Sequence, residues 1–178
     1  LGIAHTRWAT HGIPSEKNAH PHYSKNIFVV HNGIIENHSD LRAYLKAEGI
    51  RFSTQTDTEV IGHLVRTFTE KGQSFEKAVF NTIKKLKGAY ALGIIDKNNP
   101  EQIIGVRNQS PLVLGKGFEE NFIASDVMAL APVTNKFTYL DDGQVALLTS
   151  HKTMVKSTSN KIVRTKTHEV DSNAYTND

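Results

Sequence analysis

The chain has 178 residues, 38% apolar and 22% charged, with a net charge of +3. That balance excludes a disordered chain and suits one domain with a sizeable core. The absence of cysteine excludes disulfides, thiolate metal sites and a cysteine nucleophile within these residues. The densest basic cluster, Lys84-Lys85-Leu86-Lys87, sits at the end of a predicted helix, where cations suit the dipole. It reads as a solvated helix end, not as a nucleic-acid surface. No apolar run approaches the roughly 18 residues of a membrane span, and no secretory signal is visible, so a cytoplasmic setting is the expectation.

Leu1 to His5 reads as a short strand, and a chain opening on Leu1 inside a strand suggests a truncated piece. A polar loop with the single Trp follows, and Ile13 to Lys25 has no helical period. Long polar loops that are not low-complexity are often functional. Ile27-Phe28-Val29-Val30 reads as a buried strand. Three helices are expected next. One runs from about Ser39 to Glu48 before Gly49. One is opened by Thr56 and Glu59 as a capping box and closed by Gly72. The third runs from Ser74 towards Gly88. Ile50 to Thr54 can form a short strand between the first two. Beyond Gly88 the pattern turns to strands, at 89–96, 102–107, 112–114, 121–124, 136–140, 143–149, 153–156 and 162–165, with Asp141-Asp142-Gly143 as a strong turn. Residues 171–178 are polar and unpatterned and read as a tail or interdomain linker. Helices bunched ahead of many strands favour an α+β fold with antiparallel sheet, not βαβ winding.

Three features carry candidate chemistry. Asn32-Gly33 lies where a strand leaves the sheet. An Asn side chain offers NH2, and Gly lets a backbone N–H approach a ligand, so the pair can hold a developing oxyanion. Asn-Gly is also a common turn dipeptide, and alone it reads as a plain turn. Arg7 presents a planar fork suited to a carboxylate. Asp57, at a helix start, either complements the dipole or grips an amino group. The five histidines at 5, 11, 20, 22 and 31 lack metal-ligand spacing and read as hydrogen-bonded loop residues, so no metal and no cofactor is expected. Gly115-Lys116-Gly117 lies between strands and reads as a hairpin turn. A serine-hydrolase elbow is absent.

Several longer motifs occur in order: His5-Thr6-Arg7-Trp8-Ala9-Thr10-His11-Gly12, Asn18-Ala19-His20-Pro21-His22, His31-Asn32-Gly33-Ile34-Ile35-Glu36-Asn37 and Thr56-Asp57-Thr58-Glu59-Val60. They resemble the class II glutamine amidotransferase (glutaminase) domain of the glutamine–fructose-6-phosphate aminotransferases. The likeness continues through Ser110-Pro111-Leu112-Val113 and Asn121-Phe122-Ile123-Ala124-Ser125-Asp126 and spans nearly the whole chain, 1–170. The Trp8-Ala9-Thr10-His11-Gly12 form favours this family over the amidophosphoribosyltransferases. The resemblance implies a four-layer αββα sandwich of the N-terminal-nucleophile hydrolase type, incomplete because the opening segment is missing. It implies that Asn32 and Gly33 form the oxyanion hole, that Arg7 and Asp57 hold the α-carboxylate and α-amino group of L-glutamine, that Trp8 gates ammonia passage, and that Thr10 and His11 lie on a loop closing over glutamine. It further implies a sugar-isomerase domain as partner. The family's nucleophile is an N-terminal cysteine, which this chain lacks, so the chain alone is expected to be inactive. Open sheet edges imply self-association. Two rival readings remain: the glutaminase domain of another amidotransferase, and a non-catalytic amino-acid-binding module.

Overall fold

Strands rich in alternating apolar residues build two antiparallel sheets in the computed structural model, which describes residues 1–7 and 11–170. The expectations for Trp8, for Thr10 and for a linker at 171–178 fall outside the described residues. The larger sheet joins β1 (His22–Ser24), β2 (Ile27–Gly33), β3 (Tyr90–Asp96), β4 (Asn99–Asn108), β8 (Gln144–Leu148) and β9 (Thr153–Ser157), in the order β1-β2-β3-β4-β8-β9. The smaller sheet has the order β10-β7-β5-β6, from β5 (Val113–Lys116), β6 (Asn121–Ala124), β7 (Lys136–Tyr139) and β10 (His168–Glu169). Every pairing is antiparallel.

The helices α1 (His38–Ala47), α2 (Glu59–Glu70) and α3 (Phe75–Ile83) cover one face of the larger sheet. Their apolar stripes, including Leu41, Leu45, Ile61, Leu64, Val65 and Val79, bury against Ile27, Val29, Leu92, Ile94, Ile104 and Val145. At roughly 1.5–3 kcal/mol for each fully buried aliphatic side chain, this layer is the main source of stability. The opposite face meets the smaller sheet through Ala91, Leu112, Leu114, Leu140, Ala146 and Leu148. On the outer face of the smaller sheet, Leu130 and Val127 pack on Val113 and Phe137. The expected αββα layering is therefore present as three full layers, with the fourth represented among the described residues mainly by the segment 127–134. No helix among them is long and apolar enough to cross a membrane.

Several local expectations fail for physical reasons. Leu1 to His5 pairs with no strand among the described residues; it runs along the edge of a cavity between the sheets instead. Ile50 to Thr54 is a loop held by side chains, described below, and needs no strand partner. Residues 162–165 contribute a single bridge, Lys156 to Ile162, while the unexpected β10 pairs with β7. β1 was hidden because its inward residues are the polar His22 and Ser24, both buried. Helix α3 stops at Ile83, before Gly88. The Thr56–Glu59 capping box does not form, because α2 begins at Glu59 and both side chains bond elsewhere.

Candidate active site

Asn32 and Gly33 are the last two residues of β2, so the plain-turn reading of the dipeptide is wrong. They pair with Ala91 and Tyr90 of β3. Ile34 N–H donates to Ala89 C=O at 2.8 Å. Because hydrogen-bonded and non-bonded pairs alternate in an antiparallel ladder, Gly33 opposite Tyr90 is a non-bonded pair, and its N–H points away from β3. On that side lies β1, but β1 reaches only His22, opposite Val29. The Gly33 N–H therefore faces no strand among the described residues. Gly33 has φ of 116°, and a Cβ there would lie 2.1 Å from Ala89 O, so only glycine fits.

Alternation along β2 sends Val29 and His31 to the helix side and Val30 and Asn32 to the side of the smaller sheet. His31 Nδ1 reaches Thr58 Oγ1 at 3.0 Å, and His20 Nε2 reaches the same oxygen at 3.2 Å. His22 Nε2 lies 3.1 Å from Thr56 Oγ1. The rings of His5, His20 and His22 pack in sequence, the first pair tilted and the second edge-on, with centroids 4.3 and 4.7 Å apart. Burial favours the neutral form of the His20, His22 and His31 rings. His31 is lowered to about 4, although Asp57 opposes the shift, and His20 to about 3, where its histidine neighbours add to the effect of burial. Among the described residues no three His, Asp or Glu side chains converge in a way that would hold a metal ion.

Asp57 is 3% exposed. Its Oδ2 accepts from Ile35 N–H at 2.8 Å, tying the start of α2 to the end of β2. Its Oδ1 lies 3.9 Å from His11 Nδ1. Arg7, with φ of 48°, donates Nη1–H to Ile13 C=O and Nη2–H to the carbonyls of His11 and Gly12, at 3.0 to 3.3 Å. Three of its five donors thus shape the loop 11–13; among the described residues Nε–H and one Nη1–H have no partner. Arg7, His11, Asn32, Gly33 and Asp57 all line one cavity of about 350 Å³, together with His5, His20, His31 and Thr58. Asn32, His5 and His31 also line the more apolar cavity of about 520 Å³ between the sheets. Spacing alone could not bring Arg7, Asn32, Gly33 and Asp57 together; in the fold all four line this one cavity.

Glu59 was read only as a capping residue. It is buried, and its carboxylate accepts from Ser53 N–H and Oγ–H at 2.6 and 2.9 Å and from Thr54 N–H and Oγ1–H at 2.8 and 2.7 Å, with His63 Nε2 at 3.3 Å. Burial raises its pKa, but these bonds outweigh it and hold the carboxyl well below the usual carboxylate range. Glu59 therefore fixes the loop that leads into Thr56, Asp57 and Thr58. The signal in sequence was an acidic residue two positions after Asp57 and ahead of an apolar helix, but the same signal marks an ordinary helix start.

Two facing antiparallel sheets with helices outside, and a polar cradle at the end of a central strand, define an α+β sandwich of the N-terminal-nucleophile hydrolase kind. The family description "Glutamine amidotransferase domain" matches residues 5–132, and the chain belongs to that family. It is 51% identical over 165 residues to glutamine–fructose-6-phosphate aminotransferase [isomerizing] of Buchnera aphidicola, covering 92% of this chain and 27% of the relative. To the enzyme of that name from Escherichia coli K12 it is 55% identical over 148 residues, covering 83% of this chain and 24% of the relative. The chain thus spans about a quarter of the length of these relatives. Among solved structures it is similar to glutamine phosphoribosylpyrophosphate amidotransferase from B. subtilis, with a TM-score of 0.73, 25% identity, and coverage of 90% of this chain and 35% of that one.

Proposed function

We propose that this chain is the glutamine-binding part of a glutaminase site, within an enzyme that transfers the amide nitrogen of L-glutamine to fructose 6-phosphate. The observation that carries it is the pair of donors at the end of β2: the Asn32 amide and the Gly33 N–H, which no strand among the described residues pairs because β1 stops short. Two such donors fit an oxyanion formed at a carboxamide carbon. Asp57 takes the α-amino group through Oδ1, since Oδ2 is engaged by Ile35. The two remaining Arg7 donors take the α-carboxylate, and Trp8, Thr10 and His11 belong to the segment that closes over the substrate. Residues 1–170 act as one glutaminase unit, and 171–178 begin a linker to the sugar-isomerase domain. Identity of 51–55% to the fructose-6-phosphate enzymes, against 25% to the phosphoribosyl type, supports this acceptor.

The 178 residues supply no thiolate, so the reading separates binding from turnover. Oxyanion donors stabilise a charge that develops only after attack. Calorimetric titration of this chain should show L-glutamine binding and no ammonia release. Asp57→Asn, which keeps the shape and removes the charge, should weaken binding at least tenfold, the loss of one charge-assisted contact at about 1.4 kcal/mol per decade. Absence of glutamine binding, or binding indifferent to Asp57→Asn, overturns the proposal.

A further inference from the structure

We infer that His5 is the residue that orients the Asn32 amide, as one locked tautomer, so that the NH2 end and not the oxygen is offered to the substrate. This rests on the oxyanion reading of Asn32 and Gly33 and extends it to a residue outside the donor pair.

The argument is one of donors and acceptors. The Arg7 backbone N–H lies 2.8 Å from His5 Nδ1. A backbone N–H can only donate, so Nδ1 carries a lone pair and the proton of the neutral ring sits on Nε2. His5 Nε2 lies 2.5 Å from Asn32 Oδ1. With Nε2–H as donor this is a hydrogen bond to the amide oxygen. Were the Asn32 amide turned over, its NH2 would face an N–H, donor against donor. The ring could accept there only by moving its proton to Nδ1, where it would meet the Arg7 N–H. Two bonds therefore fix both the ring and the amide. Among the described residues Asn32 Nδ2 has no hydrogen-bond partner, so its two donors remain for a ligand. The ring is held from its other side by packing on His20, whose Nε2 is bonded to Thr58 next to Asp57. His5 thereby links the oxyanion side of the cavity to the element that carries the carboxylate. The same Arg7 whose side chain faces the cavity supplies, from its backbone, the N–H that sets the tautomer, which makes the local conformation at Arg7 part of the device.

His5 is a positioning residue, and its test needs a readout that a purely structural role would not move. Long-range 1H–15N correlation NMR on the isotope-labelled chain at neutral pH should show His5 neutral with its proton on Nε2. The Asn32 side-chain NH2 resonances should shift on addition of L-glutamine. His5→Ala should abolish that response and weaken glutamine binding about fivefold to tenfold, the value of one neutral hydrogen bond. His5→Gln, whose amide can donate to Oδ1, should restore most of it. An Nδ1–H tautomer in the wild-type chain overturns the inference, and so does glutamine binding with an unaltered Asn32 response in His5→Ala. The tautomer is read on the unsubstituted chain, so it decides the matter even if His5→Ala unfolds. If His5 has the expected tautomer but the Asn32 NH2 ignores bound glutamine, the oxyanion reading fails and the His5 orientation stands.

Discussion

Replacing Glu59 by Gln tests how the site is built. The substitution changes one oxygen to NH2 and little else. In the native chain each carboxylate oxygen faces one backbone N–H and one hydroxyl, from Ser53 on Oε1 and from Thr54 on Oε2. A hydroxyl can rotate and become an acceptor, but a backbone N–H cannot. Whichever way the new amide turns, one backbone N–H is left facing an N–H donor. An orphaned donor costs roughly 1–3 kcal/mol, and the surviving bonds lose their charge assistance, which is about half their strength. Because Ser53 and Thr54 are only partly covered, water recovers some of the loss. The expected total is about 2–3 kcal/mol of unfolding free energy, or a fall of roughly 5–10 °C in Tm for a chain of this size. Urea denaturation followed by circular dichroism measures it. Glutamine affinity should fall in parallel, because the loop leads directly into Asp57. A loss below about 0.5 kcal/mol with unchanged affinity would refute the view that Glu59 holds this loop.

Two further outcomes follow from geometry and charge. Gly33→Ala places a Cβ 2.1 Å from Ala89 O at a φ of 116°, and should cost more than about 3 kcal/mol in the same urea assay. Gly72→Ala, at a φ of 81° but with open space, should cost only about 1 kcal/mol, which separates clash from strain. Stability should also fall with acid. His31 and His20 have depressed pKa values in the folded chain, so between about 4 and 6.5 the unfolded state binds more protons, and stability is lost as pH drops through that window. His31 alone corresponds to up to about 3 kcal/mol, from a shift of 6.5 to about 4. Glu59, depressed as well, adds to the loss below its ordinary value of 4.5. A urea midpoint constant from pH 7 to pH 5 would contradict the buried neutral histidines.

Apolar periodicity made most of the fold legible. The stripe Val60, Ile61, Leu64 and Val65 and the run from Ala89 to Asp96 declare α2 and β3 because burial itself imposes those patterns. It failed where polar groups are buried. β1 turns His22 and Ser24 inward, and the loop 50–54 is ordered by the Glu59 carboxylate and the Arg42 guanidinium. Neither has an apolar signature. Leu1 and Ile3 alternate like a strand, yet a strand exists only by pairing, which no single segment encodes. Of the site, Arg7, Asn32, Gly33 and Asp57 were legible through their motifs. His11 also reaches the cavity. The roles of Glu59 and His5 were not, since a tautomer and a set of four accepted bonds depend on which atoms meet across 27 or 6 positions of chain.

The length of β1 sets a constraint that no site residue reveals. With His22 opposite Val29, a continued ladder would place Asn18 opposite Gly33. Four more paired residues would turn the Gly33 N–H into an ordinary ladder rung. The strand begins only at His22, so residues 18–21 leave that extension unmade. Substitutions or insertions that let 18–21 zip onto β2 would silence the donor while leaving Arg7, Asn32, Gly33 and Asp57 untouched. On the proposed reading, the availability of the Gly33 donor depends on where a neighbouring strand ends as well as on the groups that line the cavity.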